Sequence, residues 1–198
     1  MIKILRDSIK FSIGIAVITF VLAAIFSLVS QGILGGVSWT VGFVIVVVIV
    51  LIGVSADMLG IAATAASEVP FHSMASERVY GAKNAIRIVR NADKFATFCN
   101  DVIGDIAGVI SGTASTLVVI QLATAISNGD TNNIQFVIGI IFTSFVAALT
   151  VGGKALGKSF AVRMSTNLVL FAGKLTAFIE DTLHIRILPA KNNKDKNR

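Results

Sequence analysis

Long stretches of this chain carry almost no charge. From Phe11 to Ser67 the only formally charged residue is Asp57, and from Phe95 to Ala155 there are just Asp101, Asp105, Asp130 and Lys154. A water-soluble domain is about one-quarter charged, whereas this chain is 14% charged and 55% hydrophobic. Such runs exclude an ordinary soluble enzyme, a disordered chain, and a nucleic-acid module with a basic face along its whole length. They point to an all-α, polytopic membrane bundle.

A bilayer core of about 30 Å needs about 20 mostly apolar helical residues. Four segments qualify: Ile9 to Ser30, Trp39 to about Ala66, Asp101 to Ile126, and Ile134 to about Val162. The short links Gln31–Ser38 and Ser127–Asn133 contain no Lys or Arg. The connection Glu68 to Cys99, the N-terminal segment and the region after Lys158 are basic. Positive-inside reasoning then predicts a multi-pass protein of the inner membrane with both termini cytoplasmic. Lys3, Arg6 and Lys10 precede an apolar run longer than a signal-peptide core and followed by a poor cleavage site, so it reads as a retained span.

Between the second and third spans, Lys83, Arg87, Arg90 and Lys94 fall on one helical stripe, with Ala85, Ile88, Val89, Ala92 and Phe95 facing away. Such a basic amphipathic helix suits either an anionic leaflet or a solvated face packed beneath the bundle. Residues 164–188 read as a second interfacial helix. The stretch Lys191–Arg198 is too polar to fold alone.

Cys99 is a lone cysteine, and His72 and His184 make no metal-binding spacing. No phosphate-binding glycine loop and no nucleophile–base constellation is present, so no catalytic activity is expected. The informative residues are polar groups within apolar helices. Gly53, Asp57, Gly60, Thr64 and Ser67 share one face of the second span. Asp101, Asp105, Gly108 and Gly112 share one on the third, and Thr143, Ala147, Thr150, Lys154 and Gly157 one on the fourth, with Lys158 a turn beyond Lys154. A mid-membrane charge costs about 2.5–3.5 kcal/mol on insertion scales, so these three faces are expected to meet, leaving the first span peripheral. Two readings stay open. Asp57, Asp101 and Asp105, with Asn100, Thr64 and Ser67, offer hard oxygens to a cation such as Mg²⁺. Alternatively, Lys154 and Lys158 neutralise the aspartates as structural ion pairs.

The order Ser67-Glu68, amphipathic helices, Asn91-Ala92-Asp93-Lys94, Asn100-Asp101-Val102-Ile103-Gly104-Asp105 and Gly153-Lys154-Ala155-Leu156-Gly157-Lys158 resembles the transmembrane domain of the CNNM/CorB/CorC magnesium and cobalt transport proteins. On that resemblance, residues 1–36 form an extra span, 37–188 the transporter-like domain with its cytoplasmic juxtamembrane helices, and 189–198 a disordered basic tail. It implies a homodimer in the lipid bilayer with an acidic, inward-open cavity for Mg²⁺. By position, Ser67 (with Ser55 as second choice), Asp105 or Asn100, and Gly153 correspond to the family's site, and Asp57 joins them as a ligand. Lys154 stands where the family places its cation-facing glutamate, and Gly157 where it places a proline. The alternative expectation is therefore a non-transporting scaffold, serving a cytoplasmic partner protein, in which Lys154 replaces the cation beside an aspartate.

Overall fold

The computed structural model describes residues Ile2–Ile126 and Thr131–Leu183. The tail 189–198, His184 and most of the link after Ile126 lie outside the described residues. Among these residues all regular structure is helical: α1 (Ile2–Leu34), α2 (Trp39–Ala65), α3 (Val69–Ser76), α4 (Ala82–Arg90), α5 (Ala92–Thr97), a π-helical segment (Phe98–Gly104), α6 (Asp105–Ile126), α7 (Thr131–Arg163) and α8 (Ser165–Leu183). Four stretches are long and apolar enough to cross a membrane: Ser12–Leu34, Trp39–Ala65, Ala92–Ile126 and Asn133–Arg163. The chain is thus a membrane protein by length and composition. The Val44–Val50 block of α2 would favour a strand in water. In lipid every backbone group needs an internal partner, and a single segment supplies them all only as a helix.

The charge-free part of each span has the length of one hydrocarbon core. At 1.5 Å per residue, Asp57 lies about 27 Å from Trp39, while Asp105 lies about 31 Å from Ile126 and Lys154 about 31 Å from Asn133. The charges therefore sit at one end of the apolar stretches rather than halfway along them, where the cost of placing them is far smaller.

The chain divides into two compact units, Met1–Val54 with Val102–Gly153, and Ser55–Asp101 with Lys154–Arg198. In the first, α1 packs along α6: Val102, Ile106 and Ile110 meet Ile15, Leu22 and Ala23, together with Ile49 of α2. Gln121 Nε2 donates to the Leu34 carbonyl at 2.9 Å, satisfying one of the groups that the end of α1 leaves open. The first span is thus a packing partner of the third, although most of its side chains face outward. Helices α2 and α6 approach closely where glycine permits it. A Cβ at Gly42 would press on Val118, and one at Gly53 on Ala107.

This packing corrects one expectation. The stripe Asp105, Gly108 and Gly112 faces outward in its unit, and nothing lies within 4 Å of a Cβ built at Gly108 or Gly112. The buried face of α6 is Ile106, Ala107, Ile110, Ser111, Ala114 and Ser115. Its serines can be buried because each hydroxyl bonds the preceding turn, Ser111 to Gly108 O and Ser115 to Ser111 O.

The second unit is built on small residues and one large anchor. Phe71, fully buried, packs with Ala62, Ala63, Ala85, Ile88, Ala161, Val169 and Ala172. Helices α3 and α4 are joined by a tight turn through Arg78 (φ 59°) and Gly81 (φ 83°). Gly81 is required twice over, for its left-handed backbone and because a Cβ there would strike the Gly173–Lys174 backbone of α8. Asn91 ends α4: its side chain donates to Arg87 O at 2.9 Å, and its φ of −116° turns the chain into α5. The stripe Lys83–Lys94 is consequently split over two helices. Arg87 pairs with Glu180 (3.2 Å) and Arg90 with Glu68 (2.6 Å), so half of it is committed inside the unit.

Candidate functional site

The sequence-selected residues fall into two settings. Asp57, Ser67, Asn100, Asp101, Lys154 and Lys158 belong to the second unit, and Asp105 and Gly153 to the first.

Within the second unit, Lys154 Nζ stands 3.7 Å from Asp57 Oδ1, with both side chains at least two-thirds buried. Asp57 is therefore the aspartate that takes the lysine, although at that separation the pair is ionic rather than tightly hydrogen-bonded. One helical turn along the same face of α2 from Asp57 is Gly60, and the Asn100 side chain lies directly on it. A Cβ at Gly60 would overlap Asn100 Oδ1. That carbonyl oxygen is buried and has no hydrogen-bond partner. An unpaired buried acceptor costs about 1–3 kcal/mol, so this oxygen, set against Gly60 one turn along α2 from Asp57, is the site's most unusual property. Asn100 owes its position to the π-helical segment Phe98–Gly104. The i→i+5 winding is rare and adds a residue to the turn, re-aiming side chains in a way that recurs at functional sites.

The other residues stand elsewhere. Ser67 lies in the turn after α2, where its hydroxyl accepts from the Val69 amide at 3.4 Å, tying the turn into α3. Asp101 and Lys158 are exposed. In the first unit, Asp105 is exposed and Gly153 packs its bare backbone towards Val54. Among the described residues no three His, Cys, Asp or Glu side chains gather as a metal cage. A cation held here would depend on neutral oxygens and water beside Asp57. Asn100, packed against Gly60 one turn along α2, carries an oxygen of the hard type that Mg²⁺ prefers.

A second polar network went unread in the sequence. Glu68 Oε1 is shared by Arg90 (2.6 Å) and His72 Nε2 (2.8 Å). The Arg90 hydrogen bond holds the Glu68 carboxyl below its ordinary range, against a smaller opposing effect of burial. On α8, Glu180 accepts from Asn84 and Arg87, and Asp181 from the Tyr80 hydroxyl at 2.9 Å, an acceptor that raises the pKa of that phenol. These partners are over ninety residues apart, beyond the reach of local spacing. The signal available was only one of sign, basic Lys83, Arg87 and Arg90 on α4 against acidic Glu180 and Asp181 on α8. The chain matches no protein-family model, no curated protein and no solved structure at a significant level.

Proposed function

We propose that the chain is an inner-membrane, multi-pass protein of the CorB/CNNM type, in which a hard divalent cation and the Lys154 ammonium compete for Asp57. Mg²⁺ or Co²⁺ would be bound substrate, approached from the cytoplasmic side, in a protein that works as a homodimer with both termini inside. The observation that carries this reading is the buried Asn100 carbonyl oxygen with no donor, one turn from a carboxylate whose partner is a flexible lysine. An apolar core would gain nothing from either group.

The Asp57–Lys154 pair itself favours a second reading. Here the lysine permanently fills the cation's place, and the protein is a scaffold for a cytoplasmic partner. Calorimetry of Mg²⁺ and Co²⁺ on the purified protein separates the two. Saturable wild-type binding, weakened at least about tenfold by Asp57→Asn, would support competition; losing a direct carboxylate contact is worth about that much. No wild-type binding but a gain in Lys154→Glu would support the permanently closed site. Silence in both would remove the cation from the account.

A further inference from the structure

Helix α8 has two faces. Val169, Ala172 and Gly173 are buried on the side that lies against α4. The opposite side carries Phe171, Leu175 and Phe178, spaced by four and three residues and 59%, 48% and 63% exposed. A row of three large apolar side chains on one helix marks a surface that meets something other than water. Helix α8 does not itself qualify as a span: Lys174, Glu180 and Asp181 interrupt it. Yet it begins one residue after α7, which does.

The charges around this row have one sign. Lys158, Arg163 and Lys174 are exposed and make no ion pair with a described residue. The acids of α8 are already occupied, Glu180 by Arg87 and Asn84 and Asp181 by Tyr80. The sequence that follows, 184–198, holds five Lys or Arg against one Asp. A second copy of the chain seated on this row would bring like charges together, which opposes association. An apolar row bordered by free cations is the pattern of a helix lying in an anionic membrane interface, its rings among the first methylenes and its ammonium groups at the phosphates. Helix α4, for which the sequence pattern left a leaflet contact and a packed, solvated face both open, has given Arg87 and Arg90 to internal acids.

We infer that α8 is an interfacial anchor that embeds Phe171, Leu175 and Phe178 in an anionic leaflet and gathers anionic headgroups at Lys174 and its cationic neighbours. This does not depend on the cation reading above. The test uses the full chain, in which Trp39 is the single tryptophan. In a Trp39→Phe background, Leu175→Trp reports the row, and Phe178→Trp reports it independently should the first variant fail to fold. The protein is reconstituted in vesicles of equal parts phosphatidylcholine and phosphatidylglycerol, with bromine on the acyl chains of one lipid or the other. The expected result is quenching by both, at least about twofold stronger with brominated phosphatidylglycerol, and loss of that preference in Arg163→Gln/Lys174→Gln. Equal quenching by the two lipids would overturn the anionic preference. Absence of quenching would overturn the anchor altogether, with iodide then telling whether water or protein covers the row.

Discussion

At the scale of single residues, the Glu68 carboxylate is held by two partners, Arg90 and His72. Arg90 lowers its pKa from the ordinary 4.5, so the folded state binds this proton less readily than the unfolded chain does. The stabilisation is therefore present above about pH 4.5 and is lost as pH falls through the folded value. Because Arg90 is 41% exposed, solvent screens the pair and its contribution stays below about 1 kcal/mol. Arg90→Gln should melt a little below wild type at neutral pH in detergent, with the gap closing as the solution is acidified below pH 4.5 (a gap that widens in acid would contradict this). Residue types were the most legible part of the candidate site. Asp57 and Lys154 stand out in the sequence because each is charged where its neighbours are not, and Asn100 because it and Asp101 open an apolar span. Which aspartate takes Lys154 was not legible, since it depends on the rotation of α7 and the π winding ahead of α6. Neither leaves a mark in a 3.6-residue pattern.

At the scale of elements, the spans follow from composition, because a helix is the one single-segment answer to an apolar solvent. Their ends were harder. Helices α1 and α7 each run to 33 residues, and the third span continues without interruption from Ala92. A bilayer-sized window fixes a minimum, not a terminus. The amphipathic helices show the opposite error, a stripe that looks continuous across Lys83–Lys94 but is broken by Asn91. An asparagine side chain bonding the carbonyl of the preceding turn beat the pattern. The contact that holds α8 in place is a backbone-to-backbone approach, since a Cβ at Gly173 would meet Gly81 O and Ala85 N well inside contact distance. Gly173→Ala should cost about 1–3 kcal/mol by overpacking and make the α7–α8 junction more open to limited proteolysis. Ala177→Ser, on the same helix at a half-buried position, should leave the cleavage rate near wild type. Equal rates in the two variants would mean the crossing does not secure α8.

For the whole molecule, fold class was readable because the solvent is written into the charge distribution, and the expected orientation is drawn from the same source. If the basic connection is cytoplasmic, then in a Cys99→Ser background Ser76→Cys should resist a membrane-impermeant maleimide in intact cells and react once they are opened. Ser38→Cys, in the link after α1, should react from outside. The reverse pattern would invert the topology. The assembly of spans was less readable. Small residues on α6 were taken for a contact within the chain, yet the structure uses glycines of α2 for its close approaches and turns Gly108 and Gly112 outward. A small-residue stripe says that a helix can be approached, but not by which neighbour. The placement of the first charge on each span has a consequence for where such a protein can live. Asp57 and Lys154 each follow, and Asp105 precedes, about 27–31 Å of uncharged helix, a length matched to a hydrocarbon layer of average thickness. Thickening the bilayer by a few ångströms would draw carboxylate and ammonium into oil, at a cost of fractions of a kcal/mol per ångström of mismatch. The dielectric around Asp57 and Lys154 would fall and their attraction strengthen. Lipid chain length thereby becomes a control on how firmly the lysine holds its aspartate, exerted without any ligand.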